Sequence, residues 1–408
     1  MNKVIAQVKA YATQEALVKI PLIPPAITFV VLMLIARFFV IVQIYKVHDW
    51  RLGHLISDTR MVHLKAEEWN RTHKKKRVII YYFGAKKSSN DFYVQKLKES
   101  HFYIQKRLGF VIYYLASYLN FLVTTTDDNA SDPDGLMIKK PLQISFNSQE
   151  IETGNKFLAQ FGLKNEGKFV CLHVRDSAFL KEEVIGSKHK KHSTRNSDIR
   201  SYKDAAETLA ELGYTVFRMG SAVNQALDST HPRVIDYATN GMRTEFLDIF
   251  LGARCTFSVC TNSGWAMVPR IFGRPIIFVN SLPFLELHLI TIEAVFYPKR
   301  IIDASNNQPL SLSSLIRSGA ILQSHKNFFE ENGLRLENLS SQDLVDAVIE
   351  MASRVEMRFQ RSELDRHFHV NLIRELTSDP VIHYDLTEHP FRAEYASCFL
   401  EKHQNLFV

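Results

Sequence analysis

The feature that most constrains the fold is an alternation beginning near residue 168. "KFVCLHV" (168–174), "YTVFRMG" (214–220), "RVID" (233–236), "CTFSVC" (255–260) and "RPIIFV" (274–279) are short, nearly continuous apolar runs. Unbroken apolarity, rather than strict alternation with polar residues, is what a strand covered on both faces requires. Between the runs lie helix-patterned segments. Ser201 can cap one whose Tyr202, Ala205, Leu209 and Leu212 recur at helical spacing before Gly213 ends it, and "RTEFLDIFLGA" is another. Strands alternating with helices predict a doubly wound parallel sheet.

The first part of the chain repeats the theme. Residues 38–45 read as a first core strand, followed by a polar turn carrying Gly53 and a helical pattern, and "RVIIYYFG" (77–84) reads as a second strand. With 408 residues and 46% hydrophobic content there is chain enough for two large cores. The expected organisation is a segment 1–36, a Rossmann-like domain 37–160, a second Rossmann-like domain 161–380, and a final piece 381–408 whose "FRAEYASCFLEKH" forms a helix returning to the first domain.

The segment 1–36 contains "IPLIPPAITFVVLMLIA" (20–36), apolar except for Thr28 but only 17 residues long and holding three prolines. A comfortable transmembrane helix needs about 20 residues. Extension through Arg37 would bury a charge at about 2.5–3.5 kcal/mol. The reading is a membrane-associating or re-entrant helix over 14–36. Basic residues crowd the chain after it, which would keep the globular part on the cytoplasmic side of a membrane, held peripherally or by that single segment.

The net charge is +7, and its surplus gathers at 71–77 ("RTHKKKR", with Lys86 and Lys87 nearby) and at 188–195 ("KHKKHSTR"). Such clusters suit phosphates. They lack interleaved aromatics and no recognition motif accompanies them, so nucleic acid is not an expected partner. The four cysteines show no zinc-site spacing, so neither a structural metal nor a disulfide framework is expected.

Polar residues stand where the apolar runs stop. His173, Arg175 and Asp176 follow one run, Arg218 and Gly220 close the next, Asp236 and Tyr237 a third, and Asn262, Ser263 and Gly264 a fourth. In an open parallel sheet, ligands bind beyond the carboxyl ends of the strands. Arg175 and Arg218 offer forked donors to phosphate oxygens. The Asn262–Ser263–Gly264 turn opens a helix pattern whose free amides can hold an anion. Glu245 and Asp248, one helical turn apart, could bond sugar hydroxyls or merely answer the helix dipole. His173, Asp176 and His54 are candidate bases for an acceptor hydroxyl. The loop 192–200, with His192, Arg195 and Asn196, reads as a lid or acceptor loop, and Arg51 and Gly53 join His54 in an acceptor turn. The cleft segments carry no closely spaced carboxylate pair, so no metal and no other cofactor is expected.

"RLGHL", "HVRDSAFL", "HSTRNSDIRSY", "FRMGS", "VIDYA" and the run "TEFLDIFLGARCTFSVCTNSGWAMVPRIFGRPIIFVN" resemble a family of bacterial glycosyltransferases from surface-polysaccharide and lipopolysaccharide gene clusters, over nearly everything after residue 45. The His-x-Arg element is also similar to that of the fucosyltransferase superfamily, whose His-x-Arg-Arg-x-Asp pattern binds the donor's β-phosphate. His173 and Arg175 match it, while Asp176 replaces the second arginine. The resemblance implies a metal-independent transferase of GT-B architecture, two facing Rossmann-like domains, taking a nucleotide-sugar donor and a glycolipid or polysaccharide acceptor. A sugar-nucleotide 2-epimerase shares that architecture, and a non-catalytic sugar-binding subunit of an assembly complex is a third reading.

Overall fold

A computed structural model describes residues 20–125, 136–139, 145–163, 167–178, 193–285, 294–378 and 392–404. The chain divides into two compact units, Met1–Ala130 and Ser131–Val408.

The first unit is built on a four-stranded parallel sheet of β1 (Ile41–Val47), β2 (Arg77–Phe83), β3 (Tyr103–Ile104) and β4 (Val123–Thr124), in the order β3-β2-β1-β4. Its helices are α1 (Ile23–Ala36), α2 (Leu52–Thr72), α3 (Asp91–Ser100) and α4 (Lys106–Ser117). Successive side chains of a strand point to opposite faces, so one strand can serve two cores. Val42, Ile44 and Tyr82 enter a core with Ala26 and Met33 of α1 and Val111, Ile112 and Ala116 of α4. Tyr45 and Tyr81 meet edge to face, and the Tyr81 hydroxyl donates to Thr59 O of α2 at 3.3 Å. Gly109 lets α4 approach closely, since a Cβ there would stand 2.5 Å from Cδ2 of Tyr82.

The apolar amino-terminal stretch is therefore not a free segment. Over the described residues its helix is α1, 14 residues long, which at 1.5 Å per residue spans roughly 21 Å against a hydrocarbon core of about 30 Å. No described helix is long and apolar enough to cross a membrane. The first strand starts at Ile41, not at residue 38: the chain turns at Arg37–Phe39, where each of Phe38 and Phe39 is more than 80% exposed. Apolarity alone does not separate an exposed turn from a buried strand.

The second unit holds a seven-stranded, wholly parallel sheet: β5 (Phe169–His173), β6 (Thr215–Met219), β7 (Val234–Ile235), β8 (Phe257–Cys260), β9 (Ile276–Ser281), β10 (Ala294–Pro298) and β14 (Glu394–Tyr395). The order is β14-β10-β9-β8-β5-β6-β7. Leaving out the edge strand β14, the strands in order of appearance lie third, second, first, fourth, fifth, sixth, which is the Rossmann arrangement. Its helices include α5 (Ser148–Ala159), α6 (Lys203–Glu211), α7 (Glu245–Arg254), α8 (Met267–Ile271), α9 (Ser341–Val355), α10 (Glu363–Ser378) and α11 (Ser397–Lys402). A small antiparallel sheet of β11 (Arg300–Asp303), β12 (Gln308–Pro309) and β13 (Leu334–Glu337) follows β10.

Helix α5 packs on this second unit, with Phe157 against Phe217 of β6 and Gly154 so close to Phe250 of α7 that a Cβ would stand 2.2 Å from its ring. The carboxyl-terminal "FRAEYASCFLEKH" is not one helix. Its Glu394–Tyr395 forms the edge strand beside β10, and only Ser397–Lys402 is helical. That short helix is held to α9: Glu350 accepts from the amides of Ser397 and Cys398 at 3.0 and 2.9 Å, and Lys402 pairs with Asp343. Residues 381–391 lie outside the described residues.

Candidate functional site

In the second unit the connection after β5 runs toward β6 and that after β8 toward β9, on opposite sides, so a crevice must open between the carboxyl ends of β5 and β8. Such a switch point is where doubly wound sheets bind ligands. His173 O accepts from Thr261 N at 3.1 Å, and Thr261 Oγ1 accepts from Arg175 N at 2.9 Å. These two bonds hold the strand tips together just below the opening. Arg175 stands half-buried beyond them.

His173 Nδ1 lies 3.0 Å from Ser263 Oγ, and its ring stacks on Trp265 with centroids 5.6 Å apart. Burial, with the Arg218 and Arg175 charges adding to it, pushes the imidazole down to about 3. A ring so reluctant to take a proton is a poor general base. In the tautomer where Ser263 donates to Nδ1, the proton sits on Nε2 and His173 is a neutral hydrogen-bond donor. Trp265 is itself fixed, its indole N–H donating to Asp248 O at 3.2 Å.

The turn at Asn262–Ser263–Gly264 does not open a long helix. Helix α8 has only five residues and begins at Met267, too short for much of a macrodipole. What the turn offers is backbone: the amides of Ser263, Gly264 and Trp265 donate to no carbonyl among the described residues. Such N–H groups in a tight turn can line an anion-binding concavity. Asn262 serves the scaffold, its Oδ1 accepting from Leu282 N at the end of β9 at 3.1 Å.

Several sequence candidates prove to be scaffold. Arg218 lies inside the sheet and is fully buried. Its Nη1 pairs with Asp236 Oδ1 at 3.1 Å and its Nη2 donates to Gln225 O at 2.9 Å. Strand β6 is covered on both faces, so a charged residue there must find its partner inside. Arg218 is thus in no position to grip a phosphate. Asp176 spends Oδ1 on Ala178 N (2.8 Å) and Oδ2 on Asn224 N (2.7 Å), tying the loop after β5 to the loop after β6. Both oxygens accept backbone amides, which is a structural use and not that of a base. Asp248 is buried against Arg243 (2.6 Å), and burial outweighs that cation to push its carboxyl up to about 6. Glu245 sits half-buried in the first turn of α7. Gly220 ends β6, where a Cβ would come 2.6 Å from Val223 Cγ1.

The described part of the 192–200 loop is pinned rather than lid-like. Thr194 Oγ1 donates to Ser324 O at 2.5 Å, Ser197 N donates to Arg175 O at 3.0 Å, and Arg195 Nη2 lies 3.5 Å from Ser324 Oγ. Lys299, 3% exposed at the carboxyl end of β10, donates to Thr194 O (2.7 Å) and Asn196 O (3.0 Å). Burial pushes its amine down to about 8. His192 lies outside the described residues.

In the first unit the chain leaving β1 brings three groups together that the sequence alone did not unite. His48 Nδ1 and His54 Nδ1 lie 3.4 and 3.1 Å from the same Oδ2 of Asp58, and the Ser57 hydroxyl donates to Asp58 Oδ1 at 3.1 Å. Asp58 is buried, which pushes its carboxyl up, but the bonds from the two imidazoles outweigh that and hold it below its ordinary value. An ionised carboxylate at Nδ1 fixes the tautomer that leaves Nε2 as the open lone pair, the orienting logic of an Asp–His pair. Asp58 lies one helical turn beyond His54 on α2, a spacing that could have revealed it. The ligand atoms of the three lie within 4.8 Å of one another, which would also admit a cation. Arg51 stacks on Trp50 at 4.2 Å, and Gly53 O accepts from the Ser57 hydroxyl at 2.7 Å.

A groove of about 940 Å³ lies elsewhere, between α5 and α7 at the amino ends of β5 and β8, lined by Lys156, Phe169, Arg254 and Thr256 among others. It opens at the edge opposite the switch point and does not belong to this site.

The second unit is thus an open, doubly wound α/β fold whose switch point carries Arg175, the His173 imidazole and turn amides that donate to no carbonyl among the described residues. No family model and no curated protein matches the sequence. Among solved structures, the chain is similar to a glycosyl transferase of family 9 from Veillonella parvula, with a TM-score of 0.45 and 12% identity over 78% of this chain and 98% of that one. It is also similar to the ADP-heptose lipopolysaccharide heptosyltransferase II of E. coli, with a TM-score of 0.40 and 12% identity over 77% of this chain and 99% of that one. The dodecameric, iron-containing glycosyltransferase TibC of enterotoxigenic E. coli follows at a TM-score of 0.34 and 11% identity, over 60% of each chain.

Proposed function

We propose that the protein is a glycosyltransferase that moves a sugar from a nucleotide-sugar donor to a glycolipid or surface-polysaccharide acceptor on the cytoplasmic side of a bacterial membrane. The observation that carries the reading is the crevice between β5 and β8, where Arg175, His173 and the amides at 263–265, which donate to no carbonyl among the described residues, gather beyond the strand tips. A nucleotide sugar reacts by breaking the bond between C1 and its diphosphate, so the enzyme must stabilise charge growing on that leaving group. Arg175 supplies a forked cation, the turn supplies amides and His173 supplies a neutral N–H donor. None of these roles needs a metal.

The incoming acceptor hydroxyl forms the new bond to C1 and must lose its proton. In the first unit, ionised Asp58 orients His54 through Nδ1 and leaves Nε2 able to receive a proton, the property a general base needs. Direct attack by the acceptor inverts the configuration at C1. The test is turnover with a panel of nucleotide sugars and lipid-linked oligosaccharide acceptors, scored as released nucleoside diphosphate. Arg175→Ala should release none while remaining folded; normal release by that variant refutes the assignment.

A further inference from the structure

Helices α1 and α4 lie side by side on one face of the first unit's sheet and share its core. Each buries one side there, so their other sides look away from the sheet together. On α1 and its flanks the outward residues are Ile23, Ile27, Val31, Ile35, Phe38 and Phe39, exposed by 41–83% and spaced three or four apart down to the turn. On α4 and the turn after it they are Phe110, Tyr114, Tyr118 and Phe121, exposed by 43–72% at the same spacing. The two stripes adjoin at Arg37, whose guanidinium stacks on the Phe121 ring at 4.3 Å and donates to Phe121 O at 3.0 Å. A contiguous apolar face of this kind marks an interaction site.

The chemistry of the face selects its occupant. Residues 20–40 and 106–122 contain no acidic side chain, and their charges are Arg37, Lys106 and Arg107. Positive charge beside an apolar face complements anionic lipid headgroups. Specific protein interfaces carry about one hydrogen bond per 100–200 Å², yet polar side chains here are few: the hydroxyls of Tyr114 and Tyr118 bond each other at 3.1 Å, the Thr28 hydroxyl donates to Pro24 O within α1 at 3.1 Å, and Asn120 is exposed in the turn after α4. A face that is apolar, aromatic at one side and poor in directional groups suits a fluid partner, and tyrosine favours the bilayer interface. A 14-residue helix that cannot span can still lie in the interfacial layer.

We propose that the outward faces of α1 and α4 form one membrane-docking surface that seats the first unit in the interfacial layer of a bilayer bearing anionic headgroups. The surface stands independently of the transferase reading, since neither Arg175 nor His54 belongs to it.

The experiment is flotation of the full-length protein with vesicles of phosphatidylcholine alone and of phosphatidylcholine with phosphatidylglycerol. The wild type should bind the anionic vesicles at least tenfold more strongly than the neutral ones. Phe38→Ser with Phe39→Ser should weaken binding at least tenfold, and Tyr114→Ser with Tyr118→Ser should weaken it too, although those tyrosines lie some 80 residues away from the amino-terminal stretch. Arg107→Glu should reduce the preference for anionic vesicles. The substituted residues are exposed, so thermal unfolding should match the wild type in every variant. Absence of vesicle binding by the wild type overturns the proposal, as does binding that survives the paired substitutions but is lost on deleting residues 2–19. A lipid-free dimer that the same substitutions split would assign the face to a second copy and also overturn it.

Discussion

Arg218 is the residue on which a reading of strand ends and the folded structure differ most, and its role can be measured. The guanidinium is fully buried, held by Asp236 Oδ1 and Gln225 O, while its Nε finds no acceptor among the described residues. Asp236→Asn keeps the side chain's shape and leaves the arginine charge without its counter-ion. Breaking one partner of a buried pair costs about 3–5 kcal/mol. The Asp236 side chain is 18% exposed and Gln225 O remains as an acceptor, so the lower end, about 3 kcal/mol, is expected. For a domain of this size that is a fall of roughly 5–10 °C in Tm. Arg218→Met removes the buried charge altogether, so adding it to Asp236→Asn should recover part of the loss. The assay is chemical and thermal unfolding of the two single variants and the double variant, with nucleotide affinity measured on each while folded. The reasoning fails if Asp236→Asn costs less than about 1 kcal/mol. It fails equally if Arg218→Met leaves stability unchanged but abolishes nucleotide binding, because the arginine would then be a ligand contact.

Two further predictions concern the other clusters. Asp58→Asn removes the charge that orients His54 and should lower kcat by about 10²-fold or more, within the range for general-base catalysis, with KM for the donor little changed; a rise in donor KM with kcat unchanged would contradict the assignment. Lys299 carries a folded value of about 8 against 10.5 for a solvated lysine, so between those pH values the unfolded chain holds a proton that the folded one has released. Stability should therefore rise with pH across that window, by up to about 3 kcal/mol at 1.36 kcal/mol per pH unit. The difference in unfolding free energy between wild type and Lys299→Met, followed from pH 7 to 10.5, reads this directly, and a flat difference would show that the amine is not depressed.

Much of the second unit was legible because both-face burial writes itself as unbroken apolar runs, and five of those runs are strands β5 to β9. The same property hid Arg218. Every residue of β6 is buried, so position along the run could not tell a residue at the strand's tip from one turned inward to a partner 18 residues on. Asp58 was missed because a helical carboxylate reads as solvated until its partners are placed, and His48 comes from the strand end before the helix. The apolar amino terminus was read by itself, although half of its meaning lies in α4, which no local pattern connects to it. Strand β14 is two residues long, too short for any periodicity to declare.

The central claim is that the tips of β5 and β8 in the second unit hold a pyrophosphate. Calorimetric titration of UDP, GDP and CDP into the full-length protein and into Arg175→Ala tests it most directly. At least one nucleotide should bind the wild type at one site per chain, and the variant, confirmed to be folded, should bind it at least tenfold more weakly, a loss of about 1.4 kcal/mol or more. Equal affinity in the two proteins, or no binding of any of the three to the wild type, would contradict it.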